Sequence, residues 1–545
     1  MAASQIPSHL HDEEAVTPYT MHVSSRYLDL THQKLQLTRL PRELDLPDSH
    51  RWAQGTPKSV LEPLLDFWLE GGAGFKTTLP QFRTSVTVSY SSTLNSPSSC
   101  VALMSTFPLF ASAKPLKSNP ETKTEMETLR VHFVHKRFAR ANAVPLLLCH
   151  TWPSSFIEVQ CLIEALTEPV GGLGEAEEQV QAFHVVAPSI SGFGFSDASS
   201  REGFGLAETP AVFDKVMGRL GYGGGYVASG TECICRALAF NHPTRCLAVH
   251  TSNPSFPAPS FKRSRIAYLK YRVTKLTKAK IPMLSFGYTP SEISTPRSAQ
   301  TSGTIKDALQ LQRPLGPTLH HLYSLRPQTL AFSLCDSPMG LLAALLDVLH
   351  TREVVHDPLA SRPISPFLSP VELEMQEVRA IQAVNANSHE ISTSTYGLES
   401  VDEESDVQSD TTEHPAATWS ATEILNYVML QWLPGPEAAL RWLRCAHLDS
   451  ESLQNAYSSV RLGISTFYAQ TSCTKDSEAG TPPPLMWGSS SWDIAWVKRH
   501  QRPGTLPGLE APDLLVPDRR EYFGGLSKGG RIGTSGSRER DCSEG

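Results

Sequence analysis

The alternation of apolar and polar positions divides the chain into short buried strands and amphipathic helices. Leu129 to Val134 alternates with period two, as a half-buried strand does. Val144 to Cys149 is an unbroken apolar run, the pattern of a parallel strand covered on both faces. Phe183 to Ala187 repeats it, interrupted only by His184. Thr209-Pro210 opens a helix with Val212, Phe213, Val216 and Leu220 on one face, and Pro falls in the first turn, where its missing N–H is tolerated. Gly225 to Ser229 is predicted as a strand, Arg236 to Phe240 as a helix and Cys246 to His250 as the next strand. This rhythm predicts an α/β fold, a mostly parallel sheet with helices on both faces. Such sheets place their sites beyond the C-terminal ends of the strands.

Three stretches break the pattern. Residues 92–128 are rich in Ser, Thr, Pro and Lys with no sustained period, a composition that would also suit translated intron. Residues 361–417 carry Glu399, Asp402, Glu403, Glu404, Asp406, Asp410 and Glu413 among Ser and Thr, and no Lys or Arg occurs from Ile381 to Leu440. Low hydrophobicity with one sign of charge reads as disorder, as does the Gly/Ser/Arg tail after Gly524. The 545 residues, a prior of roughly three to four domains, thus reduce to one ordered unit with insertions. The formal net charge of -7 gives no electrostatic footprint for nucleic acid. No run of about 18 apolar residues predicts an integral membrane segment, and the N-terminus lacks the pattern of a secretory signal, so a cytoplasmic setting is expected. Of the 10 Cys only Cys233 and Cys235 are close, so neither a metal site nor a disulfide framework is expected.

The chemistry sits at the strand ends. Cys149 is followed by His150-Thr151-Trp152-Pro153, Ala187 by Pro188 to Ser196, and Ser229 by Gly230-Thr231-Glu232-Cys233 and a helix. A sharp strand-to-helix turn of the last kind is a nucleophile elbow, with small residues two before and two after the apex. Gly230 meets the first requirement and Ile234 fails the second. In this the sequence resembles the microsomal-type epoxide hydrolases of the α/β-hydrolase superfamily, most closely their fungal branch. Arg39 to Asp45, Trp52 to Pro57 and Leu79 to Thr84 are similar to the N-terminal segment of that family. His150 to Pro153 is similar to its oxyanion loop, and Gly192-Phe193-Gly194-Phe195-Ser196 matches closely. Leu325 to Leu330, Asp336 to Leu341, Leu433 to Glu437 and Glu510 to Leu515 continue the match in order.

The resemblance implies an α/β-hydrolase core, a helical cap and a two-step reaction without metal or organic cofactor. A carboxylate opens the epoxide to form an ester, and a water activated by an acid-oriented His hydrolyses it. Cap tyrosines donate to the epoxide oxygen, and backbone N–H groups, here of Trp152 and Cys233, stabilise the oxyanion. Glu232 stands at the nucleophile position in place of Asp, Thr505 at the position of the His and Gln470 at that of the acid. A hydroxyl is no useful base near neutral pH. His500 reads as a loop residue, and Asp476 and Glu478 as solvated. Leu319 falls at the first tyrosine, with Tyr323 one turn on as a candidate epoxide-oxygen donor and His320 and His321 as alternatives; Arg444 falls near the second.

The implied organisation is an N-terminal segment at 18–91, a disordered insertion at 92–128, core at 129–257, cap at 258–360, an acidic insertion at 361–417, the end of the cap at 418–445, core at 446–524 and a tail at 525–545. Ser229 and Cys233 flank the elbow as alternative nucleophiles. Lys262, Arg263, Arg265, Lys270, Arg272, Lys275, Lys278 and Lys280, with Ile266, Tyr268, Leu269 and Tyr271 among them, read as a solvated helical face in preference to a surface for anionic partners. The expected function is addition of water to a small lipophilic epoxide to give a vicinal diol, in the fungal branch often for secondary metabolism. The alternative is a catalytically degenerate binding protein, isomerase or cyclase. Oligomeric state is left open.

Overall fold

The computed structural model describes residues 14–47, 52, 54–71, 78–93, 122–139, 143–168, 180–254, 256–261, 264–290, 293, 323–354, 419–453, 456–467, 484–502, 504 and 506–530. Its strands are β1 (Thr17–Pro18), β2 (Gln81–Thr93), β3 (Thr122–Lys136), β4 (Val144–Cys149), β5 (Phe183–Pro188), β6 (Tyr226–Gly230), β7 (Cys246–Ser252), β8 (Ser458–Phe467) and β9 (Trp492–His500). They form one nine-stranded sheet in the order β1-β2-β3-β5-β4-β6-β7-β8-β9. The first three strands are antiparallel, β3 meets β5 antiparallel, and β5-β4-β6-β7-β8-β9 run parallel. Every residue of β4 and β5 is buried, as their unbroken apolar runs require.

The helices are α1 (Ser25–Gln36), α2 (Lys58–Leu69), α3 (Glu208–Met217), α4 (Glu232–Asn241), α5 (Arg265–Thr277), α6 (Pro327–Leu334), α7 (Pro338–Val354), α8 (Ala421–Trp432), α9 (Glu437–Leu453) and α10 (Pro512–Lys528). One side of the sheet packs on α3 and α4, through Phe213, Val216, Ile234 and Leu238. The other packs on α10 and the short turns after β4, through Phe156, Leu162, Phe183 and Phe523. The helices α1 and α2 pack on α7 and α8. Hydrogen bonds from Trp432 Nε1 to Thr31 Oγ1 (2.8 Å) and from Thr56 Oγ1 to the Ala343 carbonyl (2.8 Å) tie these layers. A capping box starts α8: Ser420 and Glu423 each satisfy an N-terminal donor of the other. Gly435, at φ 88°, makes the turn into α9.

Three expected boundaries move. The β2–β3 ladder runs through Ser92↔Lys123 and Thr93↔Thr122, so both ends of the 92–128 insertion belong to a hairpin. Residues 446–453 continue α9 out of the cap, because nothing from Glu437 to Leu453 breaks a helix. At the other end, α10 runs on to Lys528, since Leu526 is buried against the sheet-side core. The acidic insertion at 361–417 lies outside the described residues.

Candidate active site

The loop after β4 is held from several sides. His150 is buried, with the Ile190 N–H donating to its Nε2 at 3.3 Å, which leaves the ring proton on Nδ1. Burial holds this imidazole neutral, its pKa lowered to about 3, and Phe193 packs edge-on at 5.4 Å. The Trp152–Pro153 peptide is cis, and Gln431 Nε2 of α8 donates to the Pro153 carbonyl at 2.6 Å. Trp152 is itself buried and meets the ring of Tyr323, just before α6, at 5.3 Å. Burial, with Asp347 nearby, pushes the Tyr323 phenol up to about 12, so at neutral pH it stays a donor. Arg444 holds the chain just beyond Tyr323: its Nη1 donates to the Leu325 carbonyl at 2.7 Å. Arg444 thus fastens the segment that presents a tyrosine.

The elbow differs from its expected form. Its left-handed backbone lies at Gly230, φ 137°, and a Cβ there would stand 2.0 Å from the Cys149 carbonyl oxygen. Thr231 N–H donates to that same carbonyl at 3.0 Å, and Thr251 Oγ1 caps the Gly230 carbonyl at 2.9 Å. Glu232 is not at the apex. It is the first residue of α4, where Arg236 Nε donates to its Oε1 at 2.6 Å and Trp492 Nε1 does so at 3.4 Å. Arg236, only 3% exposed, also reaches Ser491 Oγ at 3.2 Å and stacks over Trp492 at 4.8 Å. The cause is helical: residues four apart face each other, so an Arg one turn on captures the carboxylate. Cys233 lies in the first turn of the helix, before its first intrahelical bond, from Cys235 N–H to the Thr231 carbonyl. Its thiol is pushed up to about 12 by burial and is no ready nucleophile.

Behind the elbow runs a buried polar chain. Arg519 Nε of α10 donates to Ser229 Oγ at 2.9 Å, and Ser229 turns its own proton to His250 Nδ1 at 3.2 Å. His250 Nε2 meets Ser465 Oγ at 2.9 Å, Ser465 donates to Asp518 Oδ2 at 2.6 Å, and His500 Nε2 meets the same oxygen at 2.6 Å. Burial and the Arg519 charge lower the pKa of His250 well below its ordinary range, so it serves as a neutral relay. His500 therefore ends a strand and pairs with Asp518; it is not a loop residue. Between Ser229, Glu158 and Arg519 lies a cavity of about 20 Å³, bordered by Gly230 and His150. That is room for about one water. Arg519 Nη1 finds no hydrogen-bond partner among the described residues, and burial pushes the Glu158 carboxyl up to about 7.

Thr505, Gln470, Leu319, His320, His321, Asp476 and Glu478 lie outside the described residues. The structure brings His150, Trp152, Pro153 and Tyr323 together and turns Glu232 aside. Asp518, Arg519 and Glu158 escaped the sequence reading. The available signal was that Asp518-Arg519 interrupts the apolar face of a helix otherwise marked by Leu515, Tyr522 and Phe523. Among the described residues no group of His, Cys, Asp and Glu could hold a metal ion.

Residues 16–159 match the model of the epoxide hydrolase N terminus, and residues 144–282 that of the α/β-hydrolase fold. Epoxide hydrolase 1 of Sus scrofa is 27% identical over 524 residues, 95% of this chain and 90% of the pig protein. A relative from Stigmatella aurantiaca is 29% identical over 329 residues, 60% of this chain but only 58% of its own length. Juvenile hormone epoxide hydrolase of the silkworm Bombyx mori, a solved structure, superposes with a TM-score of 0.58 at 18% identity, covering 96% of this chain and 97% of that one, which shows the shared fold. The first model spans the hairpin and the second the elbow, both include the loop after β4, and the match to the pig relative extends to nearly the whole chain. The family models, the relatives and the shared fold together support an epoxide hydrolase family within the α/β-hydrolase superfamily.

Proposed function

We propose that this protein adds water to a small lipophilic epoxide to give a vicinal diol. The observation that carries the reading is the Tyr323 ring against Trp152, 5.3 Å between centroids. A protonated phenol beside the loop that follows β4 is placed to donate to an epoxide oxygen as it gains charge. The buried indole of Trp152 beside it suits a lipophilic substrate. In the family reaction the carboxylate bonds to a ring carbon, the C–O bond breaks toward the tyrosine, and water then cleaves the ester. In this chain Glu232 would have to leave Arg236 to attack, so turnover is expected to be slow. A polyketide or terpenoid epoxide is the natural substrate class if the fungal likeness extends to function.

The Glu232–Arg236 pair also supports a second reading, a pocket that binds or rearranges an epoxide-bearing molecule without hydrolysis. Incubation with styrene oxide and aryl epoxides separates the two. Diol above background, reduced in Tyr323→Phe, is the expected result. No diol at high protein concentration overturns hydrolysis. A lasting rise in intact-protein mass, mapped to Glu232, identifies attack without ester cleavage.

A further inference from the structure

The helix α5 presents two faces that the sequence pattern alone had merged. Ala267 and Thr274 are buried and dock it on the protein. Away from them runs a second apolar row, Ile266 (71% exposed), Leu269 (64%) and Leu276 (78%), with Val273 between at the same helical spacing. Before and after the helix, Phe261 (59% exposed), Ile281 (48%) and Met283 (87%) add exposed apolar side chains. Such large side chains are rarely left contiguous on a surface facing only water. Basic residues surround the row. From residue 264 to 290 the chain has Arg265, Lys270, Arg272, Lys275, Lys278 and Lys280, and no Asp or Glu. By helical angle Arg265 and Arg272 border the row on one side and Lys270 on the other. This concentration of positive charge stands in a chain whose formal net charge is -7.

We propose that α5 and the turn after it form a docking surface for an anionic membrane, lying in the headgroup plane with Ile266, Leu269, Leu276 and Met283 inserted. The chemistry of both partners agrees. An interfacial helix combines an apolar face with flanking Lys and Arg, and a cluster of four to eight such residues recognises acidic phospholipid. A basic, solvated helix needs no exposed Ile, Leu and Met, so a free polyanion accounts for the charge and leaves the apolar row unexplained. A second copy of the chain would cover the row, yet would bring six like charges against six more. Among the described residues no single helix is long and apolar enough to cross a membrane, and none is needed for this mode of attachment. The proposal is independent of the reaction proposed above.

Co-sedimentation of the full-length protein with vesicles tests it. The protein is expected to pellet with phosphatidylcholine vesicles containing phosphatidylserine, and to remain in solution with phosphatidylcholine alone. Replacing Arg265, Arg272 and Lys275 by Gln should weaken binding about fivefold for each charge removed, as should raised salt. Replacing Ile266, Leu269, Leu276 and Met283 together by Ser should abolish it with the charge intact and the circular dichroism unchanged, since all four are exposed. Failure of the wild type to bind phosphatidylserine vesicles at low salt overturns the proposal. So does equal binding by the Ser variant, which would leave only a diffuse electrostatic attraction. A wild-type dimer that the Ser variant loses, without vesicle binding, assigns the face to self-association instead. Binding to heparin but not to vesicles assigns it to a soluble polyanion.

Discussion

Two turns stand side by side at the centre of the sheet, and they treat charge in opposite ways. The turn after β4 is built on neutral groups: a buried uncharged imidazole at His150, a cis Trp152–Pro153 peptide and the protonated phenol of Tyr323 against Trp152. The turn after β6 is built on a glycine and an ion pair, Gly230 for the backbone and Glu232–Arg236 just beyond it. The first keeps donors and apolar walls facing one place. The second has turned its carboxylate to structural use.

Acid should break the first turn by the largest margin. His150, and His132 of the nearby β3, which meets Ser189 Oγ at 2.9 Å, are held at about 3 by burial, while the unfolded chain takes up protons near 6.5. The unfolded state therefore binds more protons below about pH 6.5, and stability falls as pH falls, by about 1.4 kcal/mol per unit for each histidine at full slope. Glu158 works with the opposite sign in an overlapping window. Its carboxyl is raised to about 7, so its contribution is fully present below about 4.5 and is lost as pH rises through about 7. Urea midpoints between pH 4.5 and 8 test both, and Glu158→Gln should steepen the histidine-driven rise between about pH 4.5 and 6.5 and remove the fall that follows up to about 7.

Next in size, Gly230→Ala attacks the second turn. A Cβ at 2.0 Å from a backbone oxygen, at φ 137°, forces the β4 and β6 ends apart and should cost about 3 kcal/mol, read as a lower urea midpoint. Tyr323→Phe should leave that midpoint unchanged to within about 0.5 kcal/mol but lower diol formation by about 100-fold, the loss expected of one oxyanion donor. Equal activity in the Phe variant would remove Tyr323 from the reaction. Arg236→Leu breaks a buried pair, should likewise cost about 3 kcal/mol, and frees Glu232 from its partner. If that carboxylate can attack an epoxide, adduct formation should rise in this variant even as stability falls.

Much of this was legible in the residues themselves. The strand rhythm, the covered runs of β4 and β5, the need for a glycine at position 230 and the order of the family motifs all follow from side-chain period and local turn chemistry. Residue 500 shows the limit. As a residue in a polar run, His500 gave no sign of being the end of β9, still less of its bond to Asp518, because a strand's partners are not its neighbours in the chain. The hairpin that consumes both ends of the 92–128 stretch teaches the same lesson: Ser and Thr read as a loop until a cross-strand partner supplies their backbone bonds.

The amino-acid order by itself determined the mostly parallel α/β sheet and the place of each strand-end turn, because hydrophobic period, glycine and capping act over a few residues, and the order of the motifs supplied the likeness to the α/β-hydrolases. Only the tertiary structure decided what each polar side chain touches. Trp492 meets Glu232 across 260 residues and Arg519 meets Ser229 across 290. Those meetings depend on sheet order, register and twist, which bring distant strands and the last helix to one point. A buried polar atom takes whatever partner that geometry offers, since leaving it unpaired costs more than any local preference.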